Sequence, residues 1–191
     1  MKKIQLPISE TEIRKLRIGD DVAIFGEMVT ARDAAHKYML EKWPRFVDDL
    51  IRDKAIYHCG PVIKEENGEI IAVSAGPTTS IREEPYEHEV IAHYRPRIII
   101  GKGGMGPTTL QAMKEYGAVY VHATGGAASV IAKSIIYVHK GYKRKELGDP
   151  EAFWKLEVRH FTGVVTMDSH GDSLHDIVEQ RSKEKFYELI S

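Results

Sequence analysis

The chain contains many short apolar runs, and each run ends at glycine or at another residue typical of turns. Two runs rich in Ile and Val, residues 71–75 and 98–100, are each stopped by glycine and are predicted to be strands. A hairpin is predicted at Asn67–Gly68, a dipeptide that suits the left-handed backbone of a tight turn. The same signals predict further strands at residues 4–7, 22–25, 55–59, 118–124, 153–158 and 161–167.

Segments with helix-capping residues alternate with these strands. Ser9 and Glu12 form a predicted capping box, and Thr30 is the predicted N-cap of a helix that ends at Trp43–Pro44. Further helices are predicted at residues 83–92, 107–116, 130–138 and 174–189, and a tight turn at residues 26–27. The alternation favours a mixed α/β domain. Since no linker, repeat or low-complexity tract interrupts it, we expect a single domain over residues 1–191.

Composition narrows the classes of function. The chain has 191 residues and a net charge of −1, which gives no bulk attraction to nucleic acid or to an acidic membrane. It has no apolar run long enough to span a bilayer and no apolar segment typical of a signal peptide, so we expect a cytoplasmic protein. Its one cysteine, Cys59, excludes an internal disulfide and cannot hold a four-cysteine iron–sulfur cluster alone.

Polar side chains follow both Ile-rich strands directly. The turn after the first strand carries Thr78 and Arg82, and the turn after the second carries Lys102 followed by Gly103 and Gly104. Glycines can take positive φ and bring backbone N–H groups close to a ligand. Lysine adds a point charge, and arginine adds a planar fork that matches a carboxylate. The sequence therefore predicts an anion site at these strand ends, without a metal ligand.

Local structure offers a second interpretation of part of this pattern. Ser80 is a predicted N-cap with Glu83 three residues later, which would make the segment an ordinary helix start. That interpretation does not explain a lysine embedded in glycines, and the glycine spacing matches neither a Walker loop nor a dinucleotide-binding loop. Gly125 and Gly126 also follow a predicted strand, so their amides either face an anion or allow close helix–strand packing.

Arg32 falls in the first turn of a predicted helix, where the helix dipole disfavours a cation. It is therefore a candidate anion ligand, with a solvated surface arginine as the alternative. His36, one turn later, is interpreted as a structural residue that hydrogen-bonds to its helix neighbours. Cys59 is interpreted as a small buried residue at a strand end rather than as an iron ligand.

Several motifs in a fixed order resemble one family. G-P-T-T-S-x-R at residues 76–82 and I-G-K-G-G-M at residues 100–105 are similar to the β-type subunit, or C-terminal domain, of class I iron–sulfur hydro-lyases. This family comprises class I fumarase and L-tartrate dehydratase. The motifs A-R-D-A-A-H, G-P, G-G-A-A and W-K-L-E-V match in the same order, so the resemblance spans about residues 6–165. It implies a three-layer β/β/α swivelling domain.

The resemblance also implies a heteromeric enzyme and roles for its residues. A 4Fe–4S cluster would be held by cysteines of the partner α subunit, while Arg32, Arg82 and Lys102 would bind the dicarboxylate and Thr78 would act as the base. A threonine hydroxyl is a poor base alone, so nearby cations would have to stabilise its alkoxide. The expected reaction is reversible hydration of fumarate to malate. The alternatives are L-tartrate dehydration by a β subunit, or a non-catalytic module that binds a carboxylate or phosphate through Lys102 and the glycines.

Overall fold

The computed structural model describes residues 1–190. Its strands are β1 (Lys2–Gln5), β2 (Asp21–Thr30), β3 (Ala55–Tyr57), β4 (Val62–Glu66), β5 (Glu69–Ser74), β6 (Ile98–Gly101), β7 (Val119–His122), β8 (Ile135–Tyr142) and β9 (Phe153–Met167). Its helices are α1 (Glu10–Ile13), α2 (Asp33–Lys42), α3 (Arg45–Ile51), α4 (Glu84–Tyr94), α5 (Pro107–Tyr116), α6 (Ala128–Ala132), α7 (Arg144–Leu147) and α8 (Leu174–Ile190), with a 3₁₀ turn at Ser80–Glu83 before α4. Within residues 1–190, no helix has the length and apolar content that a membrane crossing requires.

The main sheet has seven strands in the order β1-β2-β3-β6-β7-β9-β8, and β2 also pairs with β9. The pairings among β1, β2, β3, β6 and β7 are parallel, whereas β9 is antiparallel to each of its partners. Because β9 pairs with both β7 and β2, the series β2–β3–β6–β7–β9 closes into a ring. Strands β4 and β5 form a separate hairpin.

Buried side chains lie on both sides of the parallel strands. Ile99 of β6 packs with residues of the helices, including Ile91 and Met113. Ile98 and Ile100 point to the opposite side, into a cluster against which the β4–β5 hairpin packs, because successive side chains of a strand alternate in direction. Helices, sheet and hairpin thus form three layers, and the predicted mixed α/β fold is confirmed.

Several local predictions are confirmed at the level of single residues. The Ser9 hydroxyl accepts a hydrogen bond from the Glu12 N–H at 3.3 Å, as an N-cap does. Asn67 and Gly68 both take positive φ, at 52° and 81°, in the hairpin turn. Gly117 ends α5 in the left-handed conformation, with φ of 72°.

Other local predictions were wrong because pairing across the sheet decides the structure there. The chain does not turn at residues 26–27: β2 continues, with an irregular register against β9 between Ile24 and Gly26. The two strands predicted at residues 153–158 and 161–167 are one strand, β9. The helix predicted at residues 130–138 is also wrong, since α6 stops at Ala132 and the Ile- and Tyr-rich segment after it pairs with β9 as β8.

Thr30 is not the N-cap of α2. Its hydroxyl donates to the Ala152 carbonyl at 3.2 Å and accepts from the Trp154 N–H at 3.1 Å, which ties the end of β2 to the start of β9. Arg32 occupies the N-cap position without a side-chain cap. The carboxylate of Glu151 accepts instead from an amide in the first turn of α2, at 3.0 Å. Partners more than a hundred residues away therefore replace the predicted local cap.

Candidate active site

The candidate site residues lie at the carboxyl ends of the parallel strands. Arg32 follows β2, Gly60 follows β3, Lys102 follows β6 and Gly125 follows β7. Ligands of open α/β sheets usually bind at this edge, because the loops project there and the strand ends hold them rigidly. Thr78 reaches the same edge from another direction, in the segment that leaves the β4–β5 hairpin.

The Thr78 turn and the Lys102 loop are joined by backbone hydrogen bonds. The Lys102 N–H donates to the Thr78 carbonyl at 3.1 Å, and the Ser80 N–H donates to the Lys102 carbonyl at 3.0 Å. Thr78 is also held from below, since its N–H and its hydroxyl donate to the His58 carbonyl at 2.7 and 3.2 Å. The two turns that the sequence singled out therefore form one paired segment.

Lys102 projects over glycine. A Cβ atom at Gly125 would lie 3.7 Å from the Lys102 Cδ, so the side chain runs past this exposed residue. Among residues 1–190, the Lys102 ammonium has neither a hydrogen-bond acceptor nor an ion-pair partner. Gly103 is exposed and takes φ of 86°. This arrangement leaves the positive charge of Lys102 next to the exposed backbone of Gly103.

The other glycines of the loops differ in their exposure and in whether a Cβ atom would fit. Gly104 takes φ of 78° and is buried, and a Cβ there would lie 2.5 Å from the His175 ring. Gly125 and Gly126 are exposed before α6, a helix of five residues.

Arg32 lies directly before α2, and Arg82 lies in the 3₁₀ turn. The Arg32 guanidinium lies against Gly60, where a Cβ would be 2.7 Å from its Nη1, and pairs with Glu151 at 3.2 Å. Its Nε is buried and has no acceptor among residues 1–190. Arg82 is more exposed, and its guanidinium lies 3.9 Å from a carboxylate oxygen of Asp33. The structure thus places Arg82 near Asp33, the residue that follows Arg32 in the chain.

A fully buried chain of hydrogen bonds runs beneath these loops. The His36 ring bonds to the Arg32 carbonyl at 2.9 Å and to Glu87 Oε2 at 2.8 Å. The same Glu87 oxygen bonds to the His58 ring at 3.0 Å, and the other His58 nitrogen bonds to the Ser80 hydroxyl at 2.8 Å. A hydrogen bond of 2.8 Å then joins the hydroxyls of Ser80 and Tyr120.

The electrostatics of this network assign a charge to each member. Burial opposes a charge on His36, but the Glu87 carboxylate and its hydrogen bond outweigh burial and raise the pKa of His36. Burial lowers the pKa of His58 by more than Glu87 raises it. Against burial, the two rings lower the pKa of Glu87 to about 2. The network is therefore a buried His36–Glu87 ion pair beside a neutral His58.

His36, His58 and Glu87 also resemble a set of metal ligands, since their ligand atoms lie within 4.8 Å of one another. Hydrogen bonds nevertheless account for all four ring nitrogens. The distances of 2.8 and 3.0 Å from Glu87 to the rings are those of charge-assisted hydrogen bonds. We therefore interpret the cluster as a proton-bearing network.

Sequence reasoning found His36 but missed most of this network. His36 is structural, as predicted, although its second partner is Glu87 of α4, far from it in sequence. Ser80 is not an N-cap: it begins the 3₁₀ turn, and its hydroxyl serves His58 and Tyr120. The position of His58 directly after a buried strand was the one local signal that could have drawn attention to it.

A second buried carboxyl group lies beside the arginines. Burial, reinforced by the neighbouring Asp33, raises the pKa of Glu83 to about 8 although His36 opposes the shift. Glu83 Oε2 and Asp33 Oδ1 are both buried without a hydrogen-bond donor among residues 1–190. A proton shared between the two carboxyl groups accounts for both atoms, since two ionised carboxylates can only accept. With a pKa of about 8, Glu83 holds its proton at neutral pH.

Comparison with known proteins places these loops in a family. The family model described as Fumarase C-terminus matches residues 1–178. The chain belongs to this family. The Fumarase C-terminus match covers every candidate site residue and confirms the resemblance predicted from the motifs.

Three relatives illustrate how the Fumarase C-terminus domain occurs. The protein named "Putative fumarate hydratase class I" of Geobacillus stearothermophilus is 51% identical over 183 residues, which cover 95% of this chain and 35% of that protein. This chain thus spans about a third of that relative. The "Putative L(+)-tartrate dehydratase subunit beta" of Methanocaldococcus jannaschii is 40% identical over 186 residues, covering 96% and 95% of the two chains. The "L(+)-tartrate dehydratase subunit beta" of Escherichia coli strain K12 is 35% identical over 176 residues, covering 91% and 87%.

Proposed function

We propose that this chain is the β-type part of a class I iron–sulfur hydro-lyase that reversibly hydrates fumarate to malate. Membership of the Fumarase C-terminus family and the names of the relatives support this proposal. The structural observation that carries it is the backbone pairing of Thr78–Ser80 with Lys102. That pairing places a hydroxyl, an ammonium group and the exposed Gly103 on one edge of the sheet.

The cations of this edge suit a substrate with a carboxylate at each end. Lys102 binds one carboxylate as a point charge, assisted by the open backbone at Gly103. Arg32 and Arg82 bind the other, because a guanidinium can donate two parallel hydrogen bonds to a carboxylate. The unpaired Arg32 Nε and the weak 3.9 Å contact of Arg82 with Asp33 leave donors for this purpose.

Thr78 handles the proton on the substrate carbon. Its hydroxyl donates to the His58 carbonyl, which fixes the side chain and leaves the oxygen lone pairs for a proton on the substrate. To act as a base, the hydroxyl first gives its proton to solvent, and the neighbouring cations stabilise the alkoxide that results. The alkoxide then takes the proton from the substrate carbon and becomes a hydroxyl again. Its place on a segment paired with the Lys102 loop supports this role.

The residues of this chain do not fit a 4Fe–4S cluster. Cys59 is the only cysteine, it is buried, and burial raises the pKa of its thiol to about 12, so it supplies no thiolate. We therefore assign the cluster to a partner α-type chain, in keeping with the name "subunit beta" of two relatives. A reducing cytoplasm is the compartment that suits such an assembly.

L-tartrate is the alternative substrate. Two of the relatives carry the name L(+)-tartrate dehydratase subunit beta, and one of them matches this chain over 95% of its own length. Tartrate also has two carboxylates, so the same cations would bind it. The relative named fumarate hydratase class I has the higher identity, 51%, and for this reason we place fumarate first.

The proposal is tested by mixing the purified chain with a candidate α-type partner under anaerobic conditions. We expect fumarate hydration by the mixture and by neither chain alone, and no iron–sulfur absorbance in this chain after anaerobic reconstitution. Dehydration of L-tartrate without fumarate hydration would select the alternative substrate. Dicarboxylate or phosphate binding without turnover in a mixture whose partner carries its cluster would identify a non-catalytic module.

A further inference from the structure

We propose that the buried network of His36, Glu87, His58, Ser80 and Tyr120 is a positioning device. It holds three site loops in one arrangement, namely those that carry Arg32, Thr78 and Lys102. Glu87 is its central residue, because both histidine rings depend on it. That the arrangement serves the alignment of a substrate rests on the proposed function. That the network holds the loops rests on the hydrogen bonds alone.

The network touches each of the three site loops. At one end, His36 bonds to the carbonyl of Arg32. In the middle, the backbone carbonyl of His58 holds both the N–H and the hydroxyl of Thr78. At the other end, the Ser80 N–H donates to the Lys102 carbonyl at 3.0 Å. Side chains that bind or react at the edge are therefore fixed by one set of buried bonds.

The proton positions in the network follow from what each partner can donate or accept. The Arg32 carbonyl can only accept, so His36 Nδ1 donates to it, and both histidines donate from Nε2 to Glu87, whose low pKa keeps it ionised. His58 Nδ1 then accepts from the Ser80 hydroxyl, which in turn accepts from the Tyr120 hydroxyl. Every hydrogen bond of the network then has one donor and one acceptor, and the second Glu87 oxygen, Oε1, is buried without a donor among the described residues.

The charged groups around His36 favour this solution. Glu87 and Glu83 face it from α4 and the preceding 3₁₀ turn, and the His58 ring lies edge-on at 5.2 Å between ring centroids. The Glu87 carboxylate stabilises the imidazolium, whereas a second charge on His58 would repel it. Because all five side chains are buried, water cannot replace a lost partner. The network is also closed to a substrate, so its members act by positioning.

The first test is independent of any enzymatic activity. Nitrogen-15 NMR of the histidine side chains in the full chain reports which ring nitrogens carry protons. We expect His36 to be protonated on both nitrogens at pH 7 and His58 to be neutral with its proton on Nε2. A His58 proton on Nδ1 and none on Nε2, which would leave the ring no donor for Glu87, would overturn the proposal.

The second test uses a matched pair of variants. Tyr120→Phe removes the hydroxyl at the end of the network, while Tyr94→Phe removes a buried hydroxyl that has no partner among residues 1–190. We expect the amides of Thr78, Ser80 and Lys102 to exchange about tenfold faster in Tyr120→Phe and to be unchanged in Tyr94→Phe. Unchanged exchange in Tyr120→Phe refutes the positioning role. Glu87→Gln, where it folds, is expected to give the larger increase.

The third test addresses substrate alignment in the complex with the α-type partner. We expect Tyr120→Phe to lower kcat by about 10²-fold, the usual cost of a small misplacement of catalytic groups, with KM nearly unchanged. Tyr94→Phe should keep the wild-type values. Faster amide exchange with unchanged kcat would remove the link to alignment. An inactive wild-type complex would remove the proposed function and leave the exchange result standing.

Discussion

The two ends of strand β6 carry cations in opposite circumstances. At its amino end, Arg97 is buried and bonds to Asp53 at 2.7 Å, to Glu10 at 3.2 Å, and to two backbone carbonyls at 2.6 and 3.0 Å. At its carboxyl end, Lys102 has no acceptor among residues 1–190 and lies beside exposed glycines. One strand thus has a buried, paired cation at one edge of the sheet and, at the other, a cation without a partner among the described residues.

The difference teaches how to separate structural charges from functional ones. A buried cation that is paired with carboxylates and carbonyls of its own chain stabilises the fold, and its charge is cancelled by its neighbours. A cation held rigidly with unused donors gains its partner only when a ligand binds. On this criterion Lys102 and the Nε of Arg32 belong to a site, whereas Arg97 belongs to the fold.

Replacing each cation by methionine should give the largest difference between the two ends of β6, in stability at one end and in substrate binding at the other. We expect Arg97→Met to lower the free energy of unfolding by about 1–3 kcal/mol, because it leaves the buried Gly117 carbonyl without its donor. Lys102→Met should change it by less than about 0.5 kcal/mol but weaken substrate binding in the complex by about 2–5 kcal/mol. Chemical denaturation and steady-state kinetics measure the two effects. Loss of stability in both variants would erase the distinction between the ends of β6.

Thr78→Val removes the candidate base and keeps the shape of the side chain. If Thr78 handles the substrate proton, turnover of the complex should fall about 10²–10⁴-fold. If it only binds substrate, KM should rise while kcat is nearly kept. Thr79→Val is the control, since that side chain faces Gly103 instead. Equal tolerance of both changes would place the base elsewhere, in the partner chain.

Arg82→Lys tests whether the fork or the charge matters. The change keeps the charge and loses the paired hydrogen bonds to a carboxylate. We expect KM to rise about tenfold, or about 1.4 kcal/mol, with stability unchanged because Arg82 is largely exposed. Lys37→Arg, at an exposed site on α2, provides a surface control. A wild-type KM in Arg82→Lys would mean that Arg82 contributes only charge.

Glu83 should give the chain a pH-dependent stability that Glu83→Gln removes. The folded-state pKa of Glu83, about 8, lies above the ordinary value of 4.5, so the folded state binds the proton more tightly. Between these two pH values the group makes the free energy of unfolding fall with rising pH, by up to about 1.4 kcal/mol per unit. Denaturation at pH 5, 6.5 and 8 measures the slope, with the exposed Glu89→Gln as control. An identical slope in Glu83→Gln would contradict the assignment of the proton.

Some parts of the structure depend only on interactions among a few neighbouring residues, and these parts could be predicted from the sequence. The Ser9 cap, the Asn67–Gly68 turn and the Gly117 helix end follow from backbone preferences of a few residues. The turns around Thr78 and Lys102 could also be found, because each follows directly on an Ile-rich strand. Their pairing with each other required knowledge of the sheet order.

Other features depend on partners that are distant in the chain, and these features could not be predicted from the sequence. Glu84 accepts from the amides of Gly106, Thr108 and Thr109, and so caps α5 from α4. The chain from Ile135 forms strand β8 instead of the predicted helix, because it pairs with β9. Glu87 looked like one acidic helix residue among several, and only packing of α4 against the sheet brings it to two histidines.

The most direct test is a structure of the chain in complex with its α-type partner and a non-reactive dicarboxylate, determined under anaerobic conditions. The account predicts one carboxylate on Lys102 and the other on Arg32 and Arg82, with the Thr78 hydroxyl beside a substrate carbon. A dicarboxylate bound away from the carboxyl ends of β2, β3, β6 and β7, with Lys102 still without a partner, would contradict it.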